Sequence, residues 1–433
     1  MRRTRRGRTP IAVAVGVLFA AALGVTGSAS ADGGSRGGDW FTSWAQSQQG
    51  VADTTLNDQS VRMITHLSQG GDALRVRVQN QFGTAPLTVD AVAVAVSGTG
   101  AAIVGGSHPA TFPGPNHRST GSVTVEPGGE AWSDPIRIKT RPQDDIAVSM
   151  YVAGQATPGV HASALRDNYV TEAGAGDHVG DASGAAYTRK VGSTYLVSAV
   201  DVHNTHLRGT IVAYGSSVVD GTGSTNCGPG CTVTGNNRRW TDDLARRVVK
   251  DLPARRQVAI ANAGIGGTTS SPECANEPAG VRGLEGTARL DRDVLALHGV
   301  TAVIYYYGTN DLQDDCTADQ ILRSYDTVFA RLRQAGIKVY VTPITARPIY
   351  TDQMNLHRYT VDGFVHRWND CSGHCDEVLD FDQVIKDPLH PNAINPSYDN
   401  GDGIHANIAG QQAIADSISL PLLARSATTP GRR

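Results

Sequence analysis

The pattern of apolar residues changes near Gly209, and this change constrains the fold more than any other feature. Before it, short runs such as 74–78 alternate apolar and polar residues, as half-buried β-strands do. Turns rich in glycine and proline separate these runs, and no segment has the length and spacing of a convincing helix. The region from about residue 40 to about residue 206 therefore predicts an all-β, sandwich-like or jelly-roll-like unit.

After Gly209, apolar runs alternate with amphipathic segments. Runs with the length of buried strands alternate with segments that have helical spacing. This alternation predicts an α/β fold, in which a doubly wound parallel sheet of five strands carries helices on both faces. The expected strands are 211–214, 258–261, 302–307, 339–341 and 378–381, and the expected helices are 240–250, 284–297, 321–334, part of 356–368, and 408–418.

The N-terminus has the pattern of a signal peptide. Five arginines precede the uncharged, mostly apolar residues 11–25, which are too few for a membrane span. Ala29, Ser30 and Ala31 form a small-residue cleavage site, so we expect residues 1–31 to be removed and the protein to be secreted. A retained anchor is the alternative, and the paired arginines leave twin-arginine export open.

Length and charge limit the classes of function. A chain of 433 residues is long for one core, so we expect a β-rich domain at 32–206, a second domain at 207–425 and a tail at 426–433. Loss of residues 1–31 removes five of 38 basic residues and none of 41 acidic ones, which leaves a net charge of −8. This balance and the absence of a basic patch argue against nucleic-acid binding. No later run predicts a membrane anchor, and we expect a monomer.

The six cysteines predict disulfides, because an exported chain meets an oxidising environment. Six cysteines allow 15 pairings. Proximity and elimination favour Cys227–Cys231, Cys371–Cys375 and Cys274–Cys316. A zinc site that includes His374 is the alternative, but the ligand spacing is poor, and we expect no metal.

Polar residues cluster where the predicted strands end. Ser217 follows the first strand, 262–267 follows the second, 308–311 follows the third, and 402–405 precedes the last helix. Ligands of doubly wound sheets bind outside the carboxyl ends of the strands. These segments are therefore expected to meet in one site.

The residue types in these segments match the needs of acyl transfer. Ser217 can act as nucleophile and His405 as the base that takes its proton, since an imidazole titrates near neutral pH. Asp402, three residues before His405, can orient the imidazole and stabilise its charged form. The backbone N–H of Gly267 and the side-chain amide of Asn310 can stabilise an oxyanion.

Four sequence blocks resemble those of the SGNH (GDSL-like) hydrolases. They are Gly-Ser-Ser-Val-Val-Asp-Gly at 215–221, Asn-Ala-Gly-Ile-Gly-Gly at 262–267, Gly-Thr-Asn-Asp at 308–311 and Asp-Gly-Ile-His at 402–405. Their order and spacing fit the family over about 209–420. The resemblance implies an esterase or lipase that needs no cofactor, with Ser217, Gly267 and Asn310 in its oxyanion hole. The β-rich part resembles, more loosely, the N-terminal region of secreted two-domain actinobacterial members.

Two details complicate the assignment. The residue before the nucleophile is Ser216, where the family usually has aspartate, so a charge beside the nucleophile is missing. Asp387 and His390 repeat the Asp-x-x-His spacing and compete for the role of base. We prefer His405 because its segment directly precedes the final helix, whereas the rival pair lies in a proline-rich loop.

The leading hypothesis is hydrolysis of a carboxylic ester, with a small ester, a lipid or an acylated glycan as substrate. A different class is a glycan-binding or adhesion protein with an inactive hydrolase domain. Trp40 and Trp44 in the β-rich part could form a glycan platform, although such residues more often pack in a core. We expect this part to shape access or to bind substrate rather than to perform chemistry.

Overall fold

The computed structural model describes residues 38–274 and 283–426, which belong to one compact unit. The expected signal peptide lies outside the described residues, as does most of the expected C-terminal tail. Across the described ranges, no helix is both long enough and apolar enough to cross a membrane.

The first part of the chain is built from strands, as its alternating pattern predicts. They are β1 (Trp40–Ala45), β2 (Gly50–Val51), β3 (Leu56–His66), β4 (Ala73–Gln79), β5 (Leu87–Val89), β6 (Ala91–Ser97), β7 (Ile103–Pro109), β8 (Phe112–Pro113) and β9 (Ser119–Thr120). They continue with β10 (Val123–Val125), β11 (Glu130–Trp132), β12 (Ile136–Arg137), β13 (Asp145–Ala156), β14 (Gly159–His161), β15 (Asn168–Val170), β16 (Arg189–Val191), β17 (Thr194–Tyr195) and β18 (Val197–His203).

Two antiparallel sheets dominate this part. One has the order β1-β18-β4-β11, with β12 also paired to β4, and the other has the order β16-β15-β3-β13-β6-β7. Alternate residues of both sheets enter a single apolar cluster, for example Val76 and Val78 of β4 with Val148 and Met150 of β13. The period of two in the sequence thus places one face of each sheet in a common core.

The second part alternates strands with helices. Its strands are β19 (Thr210–Gly215), β20 (Asn226–Gly228), β21 (Cys231–Thr232), β22 (Ala259–Gly264), β23 (Val300–Tyr306), β24 (Lys338–Val341) and β25 (Glu377–Val378). Its helices are α1 (Ser217–Asp220), α2 (Trp240–Asp251), α3 (Thr309–Gln313), α4 (Ala318–Gln334), α5 (Asp352–Val365), α6 (Phe381–Ile385), α7 (Ile408–Ser417) and α8 (Leu420–Ser426).

A parallel five-stranded sheet, in the order β22-β19-β23-β24-β25, forms the centre of this part. Ile211 and Ala213 of β19 face the cluster that contains α2 and α7, whereas Val212 and Tyr214 face the one that contains α4 and α5. Burial on both faces explains the continuous apolar runs in the sequence. After β19 the chain adds β22 on one side and β23 on the other, so the strand order reverses at β19, where sheets of this type usually bind their ligands.

Two expected elements differ from the structure. Only Asp291–Leu295 is helical in the expected helix 284–297, because the preceding chain bends under the sheet, where Gly286 accepts a hydrogen bond of 2.6 Å from the Tyr214 hydroxyl. The expected strand 378–381 ends early, because Asp380 accepts a hydrogen bond from the Gln383 N–H and caps helix α6.

The β-rich part and the α/β part are in close contact. Ser68 accepts a hydrogen bond of 3.0 Å from the Ile260 N–H, and the Gln69 side chain donates one of 3.1 Å to the Val258 carbonyl. Ala45 and Ala199 belong to the apolar cluster beneath the parallel sheet. The boundary at 206/207 stays a prediction, but residues on both sides of it share a core.

Candidate active site

The nucleophile candidate lies at the turn between β19 and α1. Ser217 is the first residue of α1, a position at which the backbone N–H has no partner within the helix. The end of β22 packs so tightly against this turn that a Cβ on Gly264 would lie 2.1 Å from the Asp220 nitrogen. Glycine is therefore required there, and the close approach brings the second sequence block beside Ser217.

Three side chains form a chain of hydrogen bonds at this turn. His405 Nε2 lies 2.8 Å from Ser217 Oγ, and His405 Nδ1 lies 2.7 Å from Asp402 Oδ2. An ionised carboxylate only accepts hydrogen bonds, so Nδ1 carries the proton and Nε2 is left to accept one from the serine hydroxyl. The residues that the sequence nominates as nucleophile, base and orienting acid thus meet in one place.

Asp402 is held in its ionised form. Burial raises its pKa, but the hydrogen bonds from the His405 side chain and from the N–H groups of Ile404 and His405 lower it to about 2. The carboxylate therefore stays charged well below neutral pH. A permanent negative charge beside Nδ1 would stabilise an imidazolium at His405.

The backbone N–H groups of Ser217 and of the nearby Gly267 are candidate hydrogen-bond donors. Gly267 has a φ of 80°, which only glycine adopts without strain, and its neighbour Gly266 is so close to the nucleophile that an added Cβ would lie 3.9 Å from the Ser217 Cβ. No carbonyl among the described residues accepts from the N–H of Ser217 or of Gly267. Both N–H groups are thus available to an oxyanion.

Asn310 supplies an oriented amide. Its Nδ2 donates to the Thr268 carbonyl at 2.9 Å, and its Oδ1 accepts from Arg347 Nη1 at 3.4 Å. These two contacts assign which end of the amide is the NH₂ group. The second Nδ2 hydrogen has no partner among the described residues. The role of Asn310 as an oxyanion donor stays a prediction.

Asn310→Ala is expected to lower kcat about 10²- to 10³-fold, which is typical for the loss of one preorganised oxyanion donor. KM should change little, because the lost hydrogen bond strengthens only as charge develops on the oxygen. Steady-state kinetics on a small chromogenic ester measure both constants. A rise in KM with unchanged kcat would instead make Asn310 a substrate-binding residue.

Asp311 connects the segments that follow β22 and β23 through hydrogen bonds. Its buried carboxylate accepts hydrogen bonds from the N–H groups of Ser270 and Ser271 and from the Ser270 hydroxyl. Burial raises the pKa of Asp311, whereas these hydrogen bonds lower it, and burial dominates. The sequence places Asp311 in the third block but gives no sign that it supports the loop carrying Gly267.

Other histidines lie in different surroundings. His390 forms the expected contact with Asp387, with 2.9 Å between Nδ1 and Oδ2, but its side chain is 75% exposed, and it is His405 that meets Ser217. Three further histidines contact residues outside the site: His357 accepts from the Ala318 N–H, His366 lies near Asp380, and His374 pairs with Asp326.

The cysteines form the disulfides Cys227–Cys231, Cys274–Cys316 and Cys371–Cys375, which are the pairs expected from proximity and elimination. Cys274–Cys316 joins the loops after β22 and α3 close to Asp311. In the described part of the chain, Asp311 and these two cysteines form a cluster of metal-binding residue types. Because both sulfur atoms are oxidised, neither is a thiolate ligand.

The two tryptophans proposed as a glycan platform are engaged in packing. Trp40 lies under the Arg75 guanidinium, 4.2 Å from the ring centroid, and Trp44 packs against the core of the β-rich part.

Ser216 stands where the SGNH hydrolases, which the sequence resembles, usually have aspartate. The Ser216 side chain is buried, and its hydroxyl has no partner among the described residues.

The residues of this site lie in a segment of the chain that matches a known protein family. A model of the GDSL-like Lipase/Acylhydrolase family matches residues 213–413. No curated protein matches the chain.

Solved structures of low sequence identity align with about half of the chain. A carbohydrate acetylesterase from Sinorhizobium meliloti is 18% identical over 50% of this chain and 99% of its own, with a TM-score of 0.38. An aryl esterase from M. smegmatis is 18% identical over 48% and 95%, with a TM-score of 0.36. A protein from Desulfitobacterium hafniense, described as lipolytic and of the G-D-S-L family, is 16% identical over 50% and 99%, with a TM-score of 0.36. The family match by itself identifies residues 213–413 as a GDSL-like lipase/acylhydrolase domain.

Proposed function

We propose that the protein is a secreted hydrolase that cleaves carboxylic esters through an acyl-enzyme. The observation that carries the proposal is the continuous chain of hydrogen bonds from Ser217 Oγ through His405 to Asp402. The unpartnered N–H groups of Ser217 and Gly267 beside that chain support it, because acyl transfer develops negative charge on the carbonyl oxygen.

In the first half of the reaction, Ser217 Oγ attacks the ester carbonyl carbon while its proton passes to His405 Nε2. The resulting oxyanion is stabilised by the N–H groups of Ser217 and Gly267 and by Asn310 Nδ2. His405 then returns the proton to the alkoxy oxygen as the bond to it breaks, and the alcohol leaves. The acyl group stays on Ser217.

In the second half, His405 takes a proton from water as the water attacks the acyl carbon. The same donors stabilise the second oxyanion. When it collapses, Ser217 recovers its proton from His405 and the carboxylic acid departs. Asp402 keeps its charge throughout, in agreement with the low pKa that its hydrogen bonds impose.

The substrate is proposed at the level of an ester of a small alcohol, a lipid or a glycan. We also propose a monomer without a stable membrane anchor, and two domains at 32–206 and 207–425. The three disulfides are compatible with export to an oxidising compartment.

The direct test is reaction with a fluorophosphonate, which an activated serine attacks at phosphorus with loss of fluoride. Mass spectrometry should find one adduct per chain, on Ser217, and short p-nitrophenyl esters should be turned over. Absence of both adduct and turnover would refute the proposal and favour a binding protein with an inactive hydrolase domain. Acetylated glycans and esters of increasing chain length then define the substrate.

A further inference from the structure

The β-rich part places one histidine against the helix of the nucleophile. His161 ends strand β14 and is 1% exposed. Its Nδ1 lies 2.8 Å from the Ser47 carbonyl oxygen, and its Nε2 lies 3.1 Å from Asp220 Oδ1. Asp220 is the last residue of α1, and its side chain is also buried. A group from the first part of the chain thus touches the helix that begins with Ser217.

The partners of His161 fix its protonation. A backbone carbonyl only accepts hydrogen bonds, so Nδ1 must carry a proton. Nε2 faces the Asp220 carboxylate. Because a carboxylate would repel the lone pair of an unprotonated Nε2, this nitrogen also carries a proton. Burial and the nearby Arg239 guanidinium lower the pKa of His161, whereas Asp220 and the Ser47 carbonyl raise it, and the balance lies above the usual value.

Asp220 lies next to both segments that are proposed to supply oxyanion donors. Its N–H donates to the Ser216 carbonyl at 2.9 Å, which closes the turn that carries Ser217. Its Oδ2 lies on the other side against the loop after β22, since a Cβ on Gly266 would be 3.9 Å from that oxygen and equally far from the Ser217 Cβ. The carboxylate therefore lies between helix α1 and the turn of Gly266 and Gly267.

We propose that His161 is a positioning residue, supplied by the β-rich part, that holds Asp220 and thereby aligns the Ser217 and Gly267 N–H groups on one oxyanion. The inference rests on the proposed ester hydrolysis and extends it to the role of the β-rich part. His161 does not touch the substrate. It acts through α1, because an imidazolium that binds both Ser47 and Asp220 ties the helix to the strand that carries the histidine.

A pH dependence follows from this arrangement. The groups that face His161 are Asp220 from α1, the Ser47 carbonyl from the segment after β1, and Arg239 from the turn before α2. Below the raised pKa of His161 the ion pair is intact, and it is lost as pH rises through that pKa. His405 must be neutral to act as base, so activity rises with pH on the acid side. The wild type should therefore show a bell-shaped profile with its alkaline limb set by His161.

The test compares kcat of the wild type and of His161→Gln between pH 5 and pH 10. A glutamine amide can donate to Asp220 but does not titrate, so the alkaline limb should disappear while the acid limb stays. At neutral pH, kcat should fall about tenfold for His161→Gln and about 10²-fold for His161→Ala, as for a small displacement of catalytic groups, with KM nearly unchanged. Rescue by glutamine relative to alanine separates positioning from general loss of packing.

His178 provides a matched control. It also lies in the β-rich part and pairs with an aspartate, Asp181, at 2.6 Å, and its pKa is likewise raised by that hydrogen bond. The hydrogen bonds of the His178 ring join it to Asp181 and Ala175, neither of which belongs to α1, so His178→Gln should keep both limbs of the profile. A folded His161→Gln variant with wild-type kcat and an unchanged alkaline limb would overturn the inference.

A second measurement does not depend on turnover or on a variant that folds. Nitrogen NMR of the histidine-labelled wild type should show both ring nitrogens of His161 mostly protonated at pH 6.5, the usual imidazole pKa, and a mostly neutral ring there would refute the inference. If the wild type neither turns over esters nor reacts with a fluorophosphonate, the proposed function fails instead. Active wild type with a neutral His161 rejects only the positioning role.

Discussion

Ser217→Ala and His405→Ala are each expected to lower kcat by about 10⁴- to 10⁶-fold. The members of a catalytic triad act as a unit, because the serine needs the histidine to remove its proton and the histidine has no nucleophile to activate without the serine. Ser217 Oγ has no acidity of its own near neutral pH, and among the described residues the base that it contacts, at 2.8 Å, is His405 Nε2. The double variant should be no slower than either single variant. Burst and steady-state kinetics on a p-nitrophenyl ester give the numbers.

His390→Ala is the matched control for the base. His390 has the same spacing from its aspartate and the same type of Nδ1 contact, but its side chain is largely exposed, so its loss should leave kcat within a factor of about two. If His390→Ala were inactive and His405→Ala active, the assignment of the base would be wrong. Circular dichroism of all variants guards against misfolding as the cause.

The two Asp-x-x-His segments show what local sequence determines. The spacing alone produces both dyads, since His405 and His390 each place Nδ1 within 2.9 Å of their aspartate. Which dyad reaches Ser217 depends on contacts across 188 residues of chain, and no local pattern encodes these. The sequence separated the two only through the order of blocks and the position of the last helix.

Secondary structure followed its local pattern where burial is regular. Helix α2 begins at Trp240, as its amphipathic spacing predicts, and β19 extends the buried run 211–214 by one residue at each end. The expected helix 284–297 failed because tertiary contacts override propensity there, as the hydrogen bond from Tyr214 to Gly286 shows. An irregular segment that packs against one face of a sheet can show the same spacing of apolar residues as an amphipathic helix.

His161 could not be found from sequence. It stands alone in a short β-strand, and a buried histidine in a strand is most often a core residue. Its partner Asp220 is 59 residues away, in a block that the sequence connects only with Ser217. Only the packing of the β-rich part against α1 relates the two.

Arg289→Met is expected to lower the free energy of unfolding by about 3–5 kcal/mol, the usual effect of breaking a buried ion pair. The guanidinium is fully buried and binds Asp293 Oδ2 at 2.9 Å. It also donates to the carbonyls of Gly215 and Ala263, at the ends of the two strands that lead to Ser217 and Gly267. Loss of the arginine would leave a buried carboxylate with Arg292 alone and two strand ends with fewer donors. Urea denaturation measures the change.

Two further variants decide whether the buried pair is the cause. Arg323→Met removes an equally close pair with Glu273, but both side chains are exposed, so stability should hardly change. Arg289→Met combined with Asp293→Leu should be less destabilising than Arg289→Met alone, because it removes the uncompensated charge together with its partner. If the double variant were instead as unstable as Arg289→Met alone, or less stable, the carbonyls of Gly215 and Ala263, rather than the carboxylate, would be the main partners of Arg289. In that case kcat should fall in step with stability, since those carbonyls position the strand ends from which Ser217 and Gly267 extend.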